Sequence, residues 1–232
     1  MFEPYERVPS FHRRCVCSSG REIRKKVIVI GSSGVGKTCF IKTFQNDWSS
    51  KVQTEYPATI EIDYCRKLVN VDGEQVHLDI WDTSGEEKSS LQLFSSIYRN
   101  TDAAIVMYDV TRRQTFREVN YWADQATKVS SNDDLILILV GNKRDMMSSR
   151  QVTVREARIL AKNTNMESYD ASSFQKQSVD DIFMTVAKKF VAAKKSSTPH
   201  EEEEEQETIK LTNNANNAKE EKVPWYKKCC QH

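Results

Sequence analysis

GSSGVGKT, residues 31 to 38, decides the reading of this chain. It fits the pattern G-x-x-x-x-G-K-[ST], which has meaning only between a strand and a helix. Upstream, KKVIVIG reads as a short buried strand; downstream, KTCFIKTFQND carries apolar residues at helical spacing directly after the glycine loop. Strand, glycine turn and helix in that order make a cradle for phosphate. Glycines let the backbone wrap closely, and successive amides and the helix N-terminus point at the anion. Ser33, Gly34, Val35, Gly36, Lys37, Thr38 and Cys39 are expected to line this cradle, with Lys37 as a point charge and the Thr38 hydroxyl as a Mg2+ ligand. Mg2+ prefers near-octahedral oxygen ligands and keeps phosphate and water among them, so an aspartate at a neighbouring strand end is expected as well. Asp82, in IWDTSGEE, is placed for that role.

Further along the chain the same alternation continues. TIEIDYCRKLVNVDGEQVHLDIWD reads as a hairpin turning at Asp72 and Gly73. AAIVMYDV and LILILVGNK are continuous apolar runs, as central strands covered on both faces require. TFREVNYWADQATKV, VREARILAKNT and VDDIFMTVAKKFVAAKK repeat apolar residues at helical spacing. Strands alternating with helices predict an α/β fold with a mostly parallel sheet and helices on both sides. Periodicity ends near Lys195, and the remainder, with five consecutive glutamates from Glu201 and an Asn/Ala run, is too polar to bury a core.

The phosphate loop alone suits ATP or GTP. LVGNKRD, residues 139 to 145, separates them, because it closes a strand with Asn142, Lys143 and Asp145. A carboxylate accepts from the N1–H and the exocyclic amine of guanine, whereas adenine has neither group and would leave that acceptor unpaired. The base is therefore expected to be guanine.

Bulk properties set wider limits. The 232 residues carry a net charge of +1, which argues for no global field and so for no nucleic-acid partner. Hydrophobic residues make up 38%, low for a compact domain and consistent with polar tails diluting a normal core. No apolar run approaches the roughly eighteen residues that cross a bilayer, and the N-terminus has no apolar stretch of signal-peptide length. Six cysteines, at 15, 17, 39, 65, 229 and 230, match neither a disulfide framework nor a four-ligand zinc site. An intracellular, reducing compartment fits best.

Taken in order, GSSGVGKT, WDTSGEE, YDVT (108 to 111) and LVGNKRD resemble a Ras-superfamily small GTPase; TIEIDY, WDTSGEE, IYRN and the terminal cysteine pair resemble its Rab family. The resemblance implies a P-loop NTPase fold with a six-stranded, mostly parallel sheet containing one antiparallel edge strand. It implies three segments: an N-terminal extension over 1–23, a GTPase domain over 24–194 and a variable tail over 195–232. It also implies a GTP/GDP cycle with Mg2+, serving vesicle traffic through exchange factors, GTPase-activating proteins, a GDP-dissociation inhibitor and effectors. Carried over by position, Thr59 joins Thr38 on Mg2+ and serves catalysis with Lys37, Gly85 touches the γ-phosphate, and Ser172 and Ser173 stand beside the base. Ser173 and Phe174 depart from the alanine and lysine of that loop, and Val52 stands where relatives place an aromatic cover for guanine.

The partner-facing positions are Ile60, Tyr64, Trp81 and Ile97, where Ile97 replaces the third of three aromatics; Glu61 replaces a glycine nearby. Cys229 and Cys230, following two lysines, resemble a doubly geranylgeranylated tail, and two lipid chains meet the requirement for stable anchoring. A cytoplasmic protein attached peripherally to the cytosolic face of endomembranes is expected. Glu86 occupies the position of the glutamine that orients the attacking water. A glutamine amide accepts from water and donates to a phosphoryl oxygen, whereas an ionised glutamate only accepts and repels the γ-phosphate. Two readings follow: a cycling switch with slow hydrolysis, or a recruitment module held mainly in the GTP state. A small P-loop kinase is a third, which NKRD and the lack of an obvious lid disfavour.

Overall fold

The protein is described by a computed structural model covering residues 22–46, 63–83 and 96–196. Its elements run β1 (Ile23–Ile30), α1 (Lys37–Gln45), β2 (Asp63–Val71), β3 (Glu74–Asp82), β4 (Ala103–Asp109), α2 (Arg113–Arg117), α3 (Val119–Ser130), β5 (Ile136–Asn142), α4 (Val154–Asn163), β6 (Glu167–Asp170) and α5 (Lys176–Ser196). Two compact units divide the chain at Val191 and Ala192, and the second is helical in its described residues, 192 to 196.

The sheet has six strands in the order β2-β3-β1-β4-β5-β6. Every pair is parallel except β2 with β3, which places the antiparallel strand at the edge as expected. The hairpin closes with Val71 opposite Glu74, so only Asp72 and Gly73 turn the chain, and both have positive φ, 53° and 87°. That is the combination a tight hairpin needs to match strand twist.

Strand alternation builds a core on each face. Val27 and Val29 of β1, Ile105 and Met107 of β4 and Val140 of β5 face α1 and α5, where Phe44 stacks on Phe183 with ring centroids 3.9 Å apart. Ile28, Ile30, Ala104, Val106 and Leu139 point the other way, against Trp122 of α3 and Ala157 and Ala161 of α4. Both sheet faces are thus covered, which is why the central strands read as unbroken apolar runs.

The helix expected as one piece from Thr115 to Val129 begins earlier and is interrupted at Glu118, giving α2 and α3. At the interruption the Glu118 carboxylate accepts from the Ser32 hydroxyl of the glycine loop at 2.5 Å and from Gln114. Helix α4 starts with a capping box: Thr153 accepts from the amide of Glu156, whose carboxylate accepts from Thr153 in return. Arg113 of α2 adds a two-point bond to the same carboxylate, at 2.6 and 3.3 Å, tying α2 to α4.

The Arg113 bond, then the Thr153 amide and hydroxyl, pull the Glu156 carboxyl down to about 2. A depressed carboxyl contributes stability that is present above its unfolded value, near 4.5, and is lost as pH falls towards 2. Glu156→Gln is expected to lower Tm by a few degrees at pH 7. The gap between the two melting curves should close as pH is taken through that window.

Candidate nucleotide-binding site

The five mutually parallel strands end on one edge of the sheet, the edge where open α/β sheets hold ligands. β1 ends into the glycine loop, β3 at Asp82, β4 at Asp109, β5 at Asn142 and β6 just before Ser172. Residues far apart in sequence therefore gather because of topology.

The glycine loop is shaped by what surrounds it. A Cβ on Gly31 would fall 2.2 Å from the Met107 carbonyl oxygen, and one on Gly36 would fall 2.5 Å from Nδ2 of Asn142; φ is 140° and 99° at the two positions. Only glycine meets both demands. Gly36 is also the N-cap of α1 and brings no side chain to satisfy the first-turn amides, and no acidic residue stands in that turn. Those amides and the helix dipole favour an anion in front of them. Lys37 is 4% exposed, its Nζ donating to the carbonyls of Gly31 at 2.8 Å and Ser32 at 3.3 Å, so α1 holds a buried positive charge across the loop.

Asp82 is 4% exposed, and its Oδ1 has no hydrogen-bond partner among the described residues. Burial pushes its carboxyl up, with the Thr38 hydroxyl bond and nearby Lys37 acting against that. An orphaned carboxylate oxygen beside a hydroxyl suits a hard cation that takes oxygen ligands, so these residues fit Mg2+. Thr83, whose hydroxyl donates to the Val29 carbonyl at 3.0 Å, pins the end of β3 to β1.

Asn142 stitches two loops together. Its Nδ2 donates to the Val35 carbonyl at 2.8 Å, and its Oδ1 accepts from the Ser173 amide at 3.0 Å and hydroxyl at 3.1 Å. Ser173, despite departing from the family residue, is thus 4% exposed and integral to the loop. Asp145 is exposed and accepts from the Ser172 hydroxyl, which fixes the carboxylate's orientation. Below them, Arg150 bonds Asp170 at 2.6 Å and the Arg144 amide donates to the Ala171 carbonyl at 3.0 Å, holding the loops after β5 and β6 in register. Cys39 is half-buried, and burial raises its thiol, which stays neutral at physiological pH.

One hub was not singled out from sequence. Asp109, 1% exposed, accepts from the Thr111 amide and hydroxyl on Oδ1 and from Arg112 and Lys143 on Oδ2, the last at 2.7 Å. Burial would raise this carboxyl, but Lys143 and Thr111 outweigh it and hold it below its ordinary value. An acidic residue ending a wholly buried and otherwise uncharged strand, YDVT after AAIVM, is the signal that marks it.

Of the residues expected to face partners, Tyr64 is 43% exposed and its ring lies 5.2 Å from that of Trp81, which also stands under Lys26. Ile97 differs: it is 2% exposed and packs in the second core with Ile28 and Ile30. A branched aliphatic side chain has no polar edge to keep it at the surface, and here it fills core. Thr59, Ile60, Gly85, Glu86, Cys229 and Cys230, with Val52 and Glu61, lie outside the described residues. Among the described residues no helix is long and apolar enough to cross a membrane.

Comparison with known proteins agrees with this geometry. The family model for the Ras family matches residues 26–192. Ras-related protein Rab-19 of Xenopus laevis is 36% identical over 168 residues, which cover 72% of this chain and 76% of that one. The proteins of the same name from Mus musculus and Rattus norvegicus are 35% and 34% identical, each over 72% of this chain and 75% of theirs. With the Ras family model matched from residue 26 to 192 and relatives at about 35% identity covering more than two thirds of the chain, this protein belongs to the Ras family, as a small GTPase of the Rab type.

Proposed function

We propose that this chain is a GTP-dependent switch for intracellular membrane traffic whose return to the GDP state is slow. The observation that supports it best is the gathering, on one sheet edge, of the glycine loop, Asp82 and the linked Asn142–Ser173 and Asp145–Ser172 pairs. Amides of residues 33 to 39 and Lys37 bind phosphate, and Asp145 reads the guanine N1–H and amine. Thr38, Thr59 and Asp82 would hold Mg2+, which when bound neutralises phosphate charge and orients its oxygens. Gly85 and Thr59 report whether the γ-phosphate is present, and their segments relax without it.

Glu86 sets the rate. Without an amide donor at that position, less charge is stabilised as the phosphoryl group transfers, so the GTP state persists. Output is then recruitment of effectors through Tyr64 and Trp81, at membranes reached through lipidated Cys229 and Cys230. Exchange factors, GTPase-activating proteins and a GDP-dissociation inhibitor complete the partner set.

Competition binding tests the nucleotide assignment. GDP and GTP are expected to displace a fluorescent GDP analogue at equimolar levels, with ATP failing at about a thousandfold excess, as unpaired polar groups in a base site dictate. Displacement by ATP as effective as by GTP would remove guanine from the account.

A further inference from the structure

Two arginines follow Thr111 and do different things. Arg113 is committed to Glu156, at 2.6 Å. Arg112 turns to the glycine loop: its Nε donates to Asp109 Oδ2 at 3.0 Å and its Nη2 donates to the Ser33 carbonyl at 3.0 Å. The contact is close, since a Cβ on Gly34 would lie 3.3 Å from the same Nη2. The Asp109 oxygen that anchors Arg112 also receives Lys143.

Peptide planarity gives this bond a consequence. In a trans peptide the carbonyl of one residue and the N–H of the next point in opposite directions. Pinning the Ser33 carbonyl towards Arg112 therefore aims the Gly34 amide away from Arg112, and a flip of that peptide would break the bond. The same carboxylate oxygen restrains Lys143, next to Asn142 at the base end.

We propose that Arg112 is a positioning residue of the nucleotide site: through Asp109 Oδ2 it locks the Ser33–Gly34 peptide of the phosphate loop to Lys143, coupling the grip on phosphate to the grip on the base. This rests on the nucleotide reading of the site. A guanidinium suits the task because its rigid fork reaches two acceptors at once, which a lysine ammonium on a flexible stem does not reproduce.

The test is release of GDP and of inosine diphosphate, which lacks the 2-amino group, from the full-length protein with Mg2+. Arg112→Ala is expected to release GDP about tenfold faster, equivalent to about 1.4 kcal/mol. It should also lower the preference for GDP over inosine diphosphate at least twofold. Arg112→Lys should stay closer to the alanine variant than to wild type, and it carries the test if the alanine variant does not fold. GDP release unchanged within twofold, equal acceleration for both nucleotides, or full rescue by lysine overturns the coupling. Wild-type protein that retains no GDP overturns the nucleotide reading and this inference with it, whereas normal wild-type retention with an indifferent Arg112→Ala overturns this inference alone.

Discussion

Asp145→Asn is expected to weaken GDP binding about 10²- to 10³-fold, because hydrogen bonds to charged acceptors are worth about 1.5–3 kcal/mol each and the new amide turns a donor towards a donor. The change is almost isosteric, so the fold should survive it. Asp145 is exposed and its neighbour Ser172 supplies a hydroxyl that can bond the amide oxygen as it bonds the carboxylate. Xanthosine diphosphate, which carries an oxygen where guanine carries its 2-amine, should gain affinity in the variant, since the amide N–H then meets an acceptor. Equilibrium titration of both nucleotides against both proteins checks the exchange. Unaltered GDP affinity would mean that Asp145 does not read the base.

Glu86→Gln is expected to speed single-turnover GTP hydrolysis about 10- to 100-fold, a part of the 10²–10³ that one preorganised donor to a developing oxyanion commands. The substitution removes a negative charge near the γ-phosphate and adds an N–H that can donate to it, so both changes act in the same direction. A glutamate could act instead as a general base if its environment tuned it towards neutral pH. In that case the glutamine variant would be slower, which quench-flow measurement of phosphate release on preloaded protein would reveal at once.

The parts of the fold legible in sequence are those set by local pattern. β1, β4 and β5 show as apolar runs because both sheet faces are covered, and the β2–β3 hairpin shows because Asp72 and Gly73 must adopt positive φ. β6 is different: only Glu167–Asp170, ESYD, it is too short and polar to carry a period, and its existence followed from the family resemblance rather than from its residues. The break at Glu118 was equally hidden, because the partner at that residue, Ser32, is 86 positions away.

The site divides in the same way. Gly31, Gly36, Lys37, Asp82, Asn142 and Asp145 are marked by motif, and the structure adds why several of them are needed: Gly36 must make room for Asn142, and Asn142 in turn bonds Val35 and Ser173. Asp109 lies within YDVT, which marks the strand end but not what its carboxylate binds, and Arg112 falls just outside that motif. Their importance lies in a carboxylate oxygen shared between two loops, which only three-dimensional proximity discloses. Ile97 shows the converse, a position given a surface role by family resemblance whose side chain is in the core.

A switch that stays on because Glu86 turns it off slowly should hold GTP inside the cell. Full-length protein isolated rapidly from its own cells, denatured and resolved by ion-exchange chromatography, should release mostly GTP. A bound pool that is almost entirely GDP would mean that Glu86 does not hold the switch on.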